Sequence, residues 1–154
     1  MFQRNDFPMK DFLPATTLIV TAFMAGLIWF VQIVHYPIFQ KVPPGQFPAF
    51  HQAHLATTGK IVLLPMLLEL LCSCLTLTLK FDNPLQNGLN YTAAALTVFI
   101  WAVTGLISVP IHNQLAVGGF DTAAIQKLVN TNWLRTCAWT MRLGIVAYLA
   151  YLKR

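Results

Sequence analysis

Charge is what this chain has least of. Charged residues make up 10% of its 154 positions, while 56% are hydrophobic; a soluble domain carries about 25% charged residues. No Asp, Glu, Lys or Arg occurs from Phe12 to Gln40, nor from Asn83 to Phe120. Apolar runs of about 18 or more residues are long enough to cross a bilayer. The scarcity excludes a water-soluble globule and predicts an all-α integral membrane protein whose first partner is the lipid bilayer. The net charge of +5 comes from ten scattered basic residues. They form no basic face, so nucleic acid is not an expected partner.

Other absences narrow the class further. The three cysteines, Cys72, Cys74 and Cys137, form no C-x-x-C pair. A helix directs the two thiols of "CSC" to different sides, so they read as small packing residues. No cleavable signal peptide is expected, because the first apolar span exceeds an h-region of about 7–15 residues and no small-x-small site follows it. No internal repeat, low-complexity segment or second domain interrupts the chain.

What is present reads as one transmembrane domain over residues 1–154, with spans at about 13–36, 47–80, 89–115 and 132–152. The first span should stop before Pro37. The second reaches roughly 50 Å at a helical rise, so its first two turns should project into the interface. Pro110 should kink the third near its end. After "GGFD", the stretch "DTAAIQKLVN" reads as a short extra amphipathic helix before the fourth span, with Asp121 as its N-cap. Short loops make sequential helices antiparallel neighbours, which predicts a four-helix bundle. Arg4, Lys10, Lys80, Lys153 and Arg154 fall at one end of the spans; Lys41, Lys60, Lys127 and Arg135 fall at the other. That bias favours both termini in the cytoplasm, in a bacterial inner membrane.

Polar residues inside a bilayer are costly and by default face the bundle interior. Counted along the helices, Glu69 and Arg142 lie roughly 16 and 18 Å from the termini's side, near the midplane. Glu69 is the single glutamate, and the two should pair or share a network. Trp101, at a similar depth, could donate its indole N–H there. All four histidines collect at the opposite end: His35 and His112 at roughly 34 Å, His54 at 39 Å and His51 at 43 Å. Gln32 sits one turn before His35. Arg135, Trp139 and Arg142 form an i, i+4, i+7 stripe running from the histidine layer down to Glu69. The pattern predicts a polar pocket open toward the non-cytoplasmic interface.

Two chemistries suit that pocket. His35, His51, His54 and His112 could hold a transition metal, copper, zinc or iron, with the H-x-x-H of "FHQAH" supplying two ligands. Glu69 lies roughly 22 Å from His54 along its helix, which disfavours carboxylate-rich di-iron chemistry. Without a metal, His and Arg could polarise an oxyanion such as an enolate or phenolate and act as acid–base groups. Trp29, Trp139 and the phenylalanines would wall a site for a lipophilic ring. His54 reads as a site residue and His51, a turn higher, as the wetter of the two.

"ISVPIHNQLA" followed by "NTNWLRTCAW" resembles the paired signature of the anthrone oxygenase-like family, small four-helix membrane proteins catalogued as a domain of unknown function. The matching positions are Pro110, Asn113, Asn132, Arg135 and Thr136, within the last third of the chain. The resemblance implies oxygen-dependent oxidation of an activated aromatic, such as an anthrone, to a quinone, without a metal in some members. It would make His112, Asn113 and Arg135 catalytic: Arg135 and Asn113 holding the substrate's oxygen, and His112 taking a proton.

The sequence thus points to a membrane-embedded oxidoreductase, oxygenase-like, acting on a small lipophilic, aromatic or quinone-like substrate. Gln32, Glu69, Trp101, Trp139 and Arg142 would form its substrate or network shell. The alternative is a non-enzymatic, histidine-rich metal-binding or accessory membrane subunit. Assembly into a homo-oligomer is left open, and a transporter of this size would require it.

Overall fold

The computed structural model describes residues 9–79, 81 and 83–152, with side chains described from residue 12 onward. Of the residues used above for orientation, Arg4, Lys80, Lys153, Arg154 and the side chain of Lys10 lie outside that description. Among the described residues there are four long helices and no strand. Helix α1 spans Met9–Phe30 and continues through a π turn (Val31–His35), a short α turn (Tyr36–Ile38) and a 3-10 turn (Phe39–Lys41). Helix α2 is Phe47–Leu77. Helix α3 is Pro84–Val103, continued through a second π turn (Thr104–Ser108) and Val109–Gly118. Helix α4 is Thr122–Tyr151. Each packs on the next and α4 closes back onto α1, as short connections require.

Two expected boundaries are corrected. The first helix does not stop before Pro37 but runs on to Lys41. A proline lacks an N–H and its ring clashes with the carbonyl four residues back, here Ile33 for Pro37 and Leu106 for Pro110. Both carbonyls lie inside π turns, in which Tyr36 N–H donates to Val31 O and Val109 N–H to Thr104 O. The wider turn accommodates each proline, and both helices continue. The short amphipathic helix is not a separate element: it is the first part of the 30-residue α4. Asp121 is nonetheless its N-cap, accepting from the N–H groups of Ala123 (2.9 Å) and Ala124 (3.1 Å). The break before it falls at Gly119, whose φ of 74° is open to glycine at little cost. The first turns of α2 pack inside the bundle. Phe47 and His51 are buried because Phe39, Phe50 and Phe120 close over them.

The distribution of polarity is inverted relative to a protein that faces water. Leu64, Val98, Leu106 and Val117 are exposed, while Glu69, Arg135, Arg142, Gln32 and Asn132 are buried. Three helices, residues 12–41, 47–77 and 84–118, are long and apolar enough to cross a membrane. Helix α4 is as long but carries Asn132, Arg135 and Arg142 on its buried face. Cys72 is buried and Cys74 exposed, as two positions apart on a helix dictates.

Candidate functional site

The stripe on α4 organises the interior in two layers. In the lower one, Glu69 Oε1 accepts from Arg142 Nε at 2.9 Å and from the Thr21 hydroxyl at 2.9 Å. Its Oε2 accepts from the indole of Trp139 at 2.9 Å. Arg142 is completed by the Ala93 carbonyl (2.8 Å) and Ser73 (3.0 Å). Every charge is paired and bonded, which is what the interior demands. Trp139 thus holds the place expected of Trp101, which packs half-buried against the core. Position 139 lies four residues from Arg135 and three from Arg142, so one helix face carries all three.

The upper layer is a hydrogen-bonded chain. Gln32 Nε2 donates to the Val129 carbonyl, and its Oε1 accepts from Asn132 Nδ2 at 2.8 Å. Asn132 Oδ1 in turn accepts from Arg135 Nε (3.0 Å) and Nη2 (2.6 Å). Arg135 Nη2 also donates to the Tyr36 hydroxyl at 3.0 Å. That hydroxyl lies 3.1 Å from His112 Nε2, and His112 Nδ1 lies 3.1 Å from His51 Nε2. Because the Tyr36 oxygen accepts from Arg135, its own proton is free to go to His112. His112 then carries its hydrogen on Nδ1 and donates to His51. A second histidine pair joins His35 Nε2 to His54 Nδ1 at 2.8 Å, with the Thr58 hydroxyl 2.9 Å from the same Nδ1.

All four histidines are gathered from three helices, with ring centroids 4.8 Å apart for His35 and His54, 5.1 Å for His54 and His112, and 5.4 Å for His51 and His112. Their ring nitrogens are largely turned on one another. Among the described residues, no group of three or more His, Cys, Asp or Glu side chains is arranged to hold a metal ion. His51 is not the wet residue expected: it is buried and stacked on Phe47 at 5.5 Å. The hub of the cluster is Phe39, fully buried, with its centroid 5.0 Å from His54 and 5.4 Å from His35.

Between the layers lies a cavity of about 160 Å³. Tyr36, His54, His112 and Arg135 form its polar end, Trp139 lies toward the Glu69 clamp, and Met24, Ile28, Val31 and Val62 line its apolar walls. Leu55, Gly59 and Val109 also line it and are exposed on the outside of the bundle. The cavity therefore borders the outer surface between α2 and α3. A smaller cavity of about 30 Å³ touches Arg142 and Asn90.

Of the residues expected to act, the structure brings Gln32, His35, His51, His54, His112 and Arg135 into the upper layer and Glu69, Trp139 and Arg142 into the lower. It does not bring Asn113, which is exposed because one residue along a helix turns the side chain about 100° from His112. The asparagine that meets Arg135 is Asn132, one turn before it on the same helix. Trp29 lies on the outer surface, edge-on to Trp133 at 5.6 Å. Tyr36 and Phe39 were missed; a hydroxyl beside His35, at the depth of Arg135, was the available signal for Tyr36. No protein-family model, curated protein or solved structure matches this chain.

Proposed function

We propose that this protein is an integral membrane oxidoreductase, oxygenase-like, that binds a small lipophilic aromatic or quinone-like molecule in the cavity under the histidine layer. The observation that carries the reading is convergence. An apolar cavity inside the bundle ends at a guanidinium, a phenol and the His112 imidazole linked by hydrogen bonds, with the His54 imidazole beside them in its lining. Apolar walls with a few converging polar groups are the usual form of a small-molecule site. Membrane insertion is supported by three helices of sufficient length and hydropathy and by an apolar exterior around a polar interior. The fourth span is α4, whose Asn132, Arg135, Thr136 and Arg142 are buried against its neighbours. The bacterial inner membrane and cytoplasmic termini belong to the same proposal, and the lysine and arginine bias supports the orientation.

In the mechanism this reading implies, Arg135 and Tyr36 hold the carbonyl oxygen of the substrate, and His54 or His112 takes a proton from the activated carbon, which in an anthrone is the CH₂ group across the ring. Molecular oxygen is the oxidant. For an anthrone, one O₂ is consumed, the CH₂ group becomes a second carbonyl, and one water leaves, so atoms and electrons balance. The resemblance of "ISVPIHNQLA" and "NTNWLRTCAW" to the anthrone oxygenase-like pattern is part of this proposal.

A second reading, a metal-binding or accessory subunit, is favoured by the gathering of four imidazoles alone. One experiment separates the two. The protein purified in detergent is analysed for bound copper, zinc and iron and assayed for oxygen uptake with an anthrone and with a hydroquinone. Turnover lost in His112→Ala and Arg135→Gln, with helical content unchanged, supports the oxidoreductase. Stoichiometric metal without turnover, lost in His51→Ala and His54→Ala, overturns it in favour of the second.

A further inference from the structure

Arg135 and Arg142 are both buried, about two turns apart on the same face of α4, but among the described residues only Arg142 has a counter-ion. Among the described residues there are two carboxylates with side chains in view. Glu69 pairs with Arg142. Asp121 caps α4 through Oδ1 and accepts from Gln114 through Oδ2. Arg135 has neutral partners only, Asn132 and Tyr36, reached through Nε and Nη2. Among the described residues its Nη1 has no acceptor, and it is not sealed off: the one fully enclosed side-chain nitrogen or oxygen without a partner there is Nδ1 of His51. Arg135 lines the cavity. A guanidinium stays charged in proteins, and a buried charge is ordinarily paired. No described carboxylate supplies that partner, and the cavity is where an outside one would sit.

We infer that the pocket takes its ligand as an anion: a lipophilic carboxylate or phenolate whose charged oxygen meets Arg135 while its ring or chain fills the apolar walls. This rests on the reading of the cavity as a ligand site and adds the charge of what enters it. Neutral quinones and alcohols are then the weaker class of ligand. The guanidinium also biases the pocket toward the ionised form of a phenol, which is the form more readily oxidised. The edge of the cavity at Leu55, Gly59 and Val109 faces outward between α2 and α3, so a lipophilic anion can reach it from the bilayer. A side chain at Gly59 would extend into open space, because a Cβ built there meets nothing within 4 Å.

Two probes of nearly the same shape test the inference on the full-length protein in neutral detergent: 2-naphthoate, ionised at neutral pH, and its uncharged analogue 2-naphthamide. Calorimetric titration should give naphthoate the tighter binding by about tenfold or more, the factor a charge-assisted hydrogen bond supplies. Arg135→Gln should erase the preference and Arg135→Lys should keep its sign. Gly59→Trp, which puts a large side chain at the outward edge of the cavity, should weaken both probes. Equal binding of the two by the native protein, lost in Gly59→Trp, overturns the anion inference and leaves the pocket standing. A naphthoate preference that survives both Arg135→Gln and Gly59→Trp also overturns it, by placing the anion elsewhere. Binding of neither probe removes the pocket reading together with the inference.

Discussion

Arg142 Nε lies 2.9 Å from Glu69 Oε1, with both side chains 1% exposed, on helices that are not joined by any loop. The pair links α2 to α4 across the bundle, and the indole of Trp139 and the hydroxyl of Thr21 complete the carboxylate. A buried pair of this kind fixes which faces meet more than it adds net stability. Removing one partner leaves the other charge stranded, so Arg142→Met alone should destabilise by about 3–5 kcal/mol. The double variant Glu69→Gln, Arg142→Met should lose much less than the sum of the two single changes. Unfolding of all four proteins in one detergent gives the coupling, and additive losses would show that the two groups do not depend on each other.

The depth argument that predicted this pair worked because a long helix is a ruler. Glu69 and Arg142 lie at one level because α2 and α4 each advance by the same rise per residue, and the histidines meet for the same reason. What counting cannot supply is azimuth at a defect in the helix. The π turns at Val31–His35 and Thr104–Ser108 shift the faces of everything after them, which is how Tyr36 comes to meet His112. The prolines at 37 and 110 were legible, but they read as stops or kinks, not as sites where a widened turn lets the helix continue. Trp101 was placed by depth and Trp139 by the stripe on α4, and the stripe gave the indole that reaches Glu69. Asn113 and Asn132 were both in view, and the helical turn from His112 decided against the first.

Those two asparagines give a paired prediction. Asn132→Leu removes the acceptor of Arg135 Nε and the donor to Gln32 Oε1. Each buried group left unpartnered costs about 1–3 kcal/mol, so a substantial fall in thermal stability is expected. Asn113→Ala, at an exposed position, should stay within about 0.5 kcal/mol of the native protein and keep its oxygen-uptake activity. Melting curves of the two variants in detergent suffice. Comparable losses from both would place Asn113 in the interior network after all.

Orientation has its own consequence. With both termini cytoplasmic, a green fluorescent protein fused after Arg154 should fluoresce in bacterial cells, and alkaline phosphatase fused at the same point should be inactive. The reverse pattern would place the histidine layer on the cytoplasmic side and move the expected source of protons and of substrate with it.

Tyr36 is the test of whether the upper layer does chemistry or only holds the bundle together. Its hydroxyl is the single group touching both Arg135 and His112, and Phe at this position keeps the ring, its edge contacts with Phe39 (5.6 Å) and His112 (5.6 Å), and the burial. The structural loss is one hydrogen-bonded hydroxyl, about 0.5–1.5 kcal/mol, which leaves the fold in place. If the hydroxyl positions the substrate's oxygen and passes a proton to His112, kcat for an anthrone should fall by about 10²-fold, the lower end of general acid–base catalysis, with KM changed much less. The pH dependence of kcat should shift as well, because His112 loses the donor that fixes its tautomer. A Tyr36→Phe protein with unchanged kcat and an unchanged pH profile would assign the whole chain from Gln32 to His51 to holding helices together, and would leave the proton to His54 and His35.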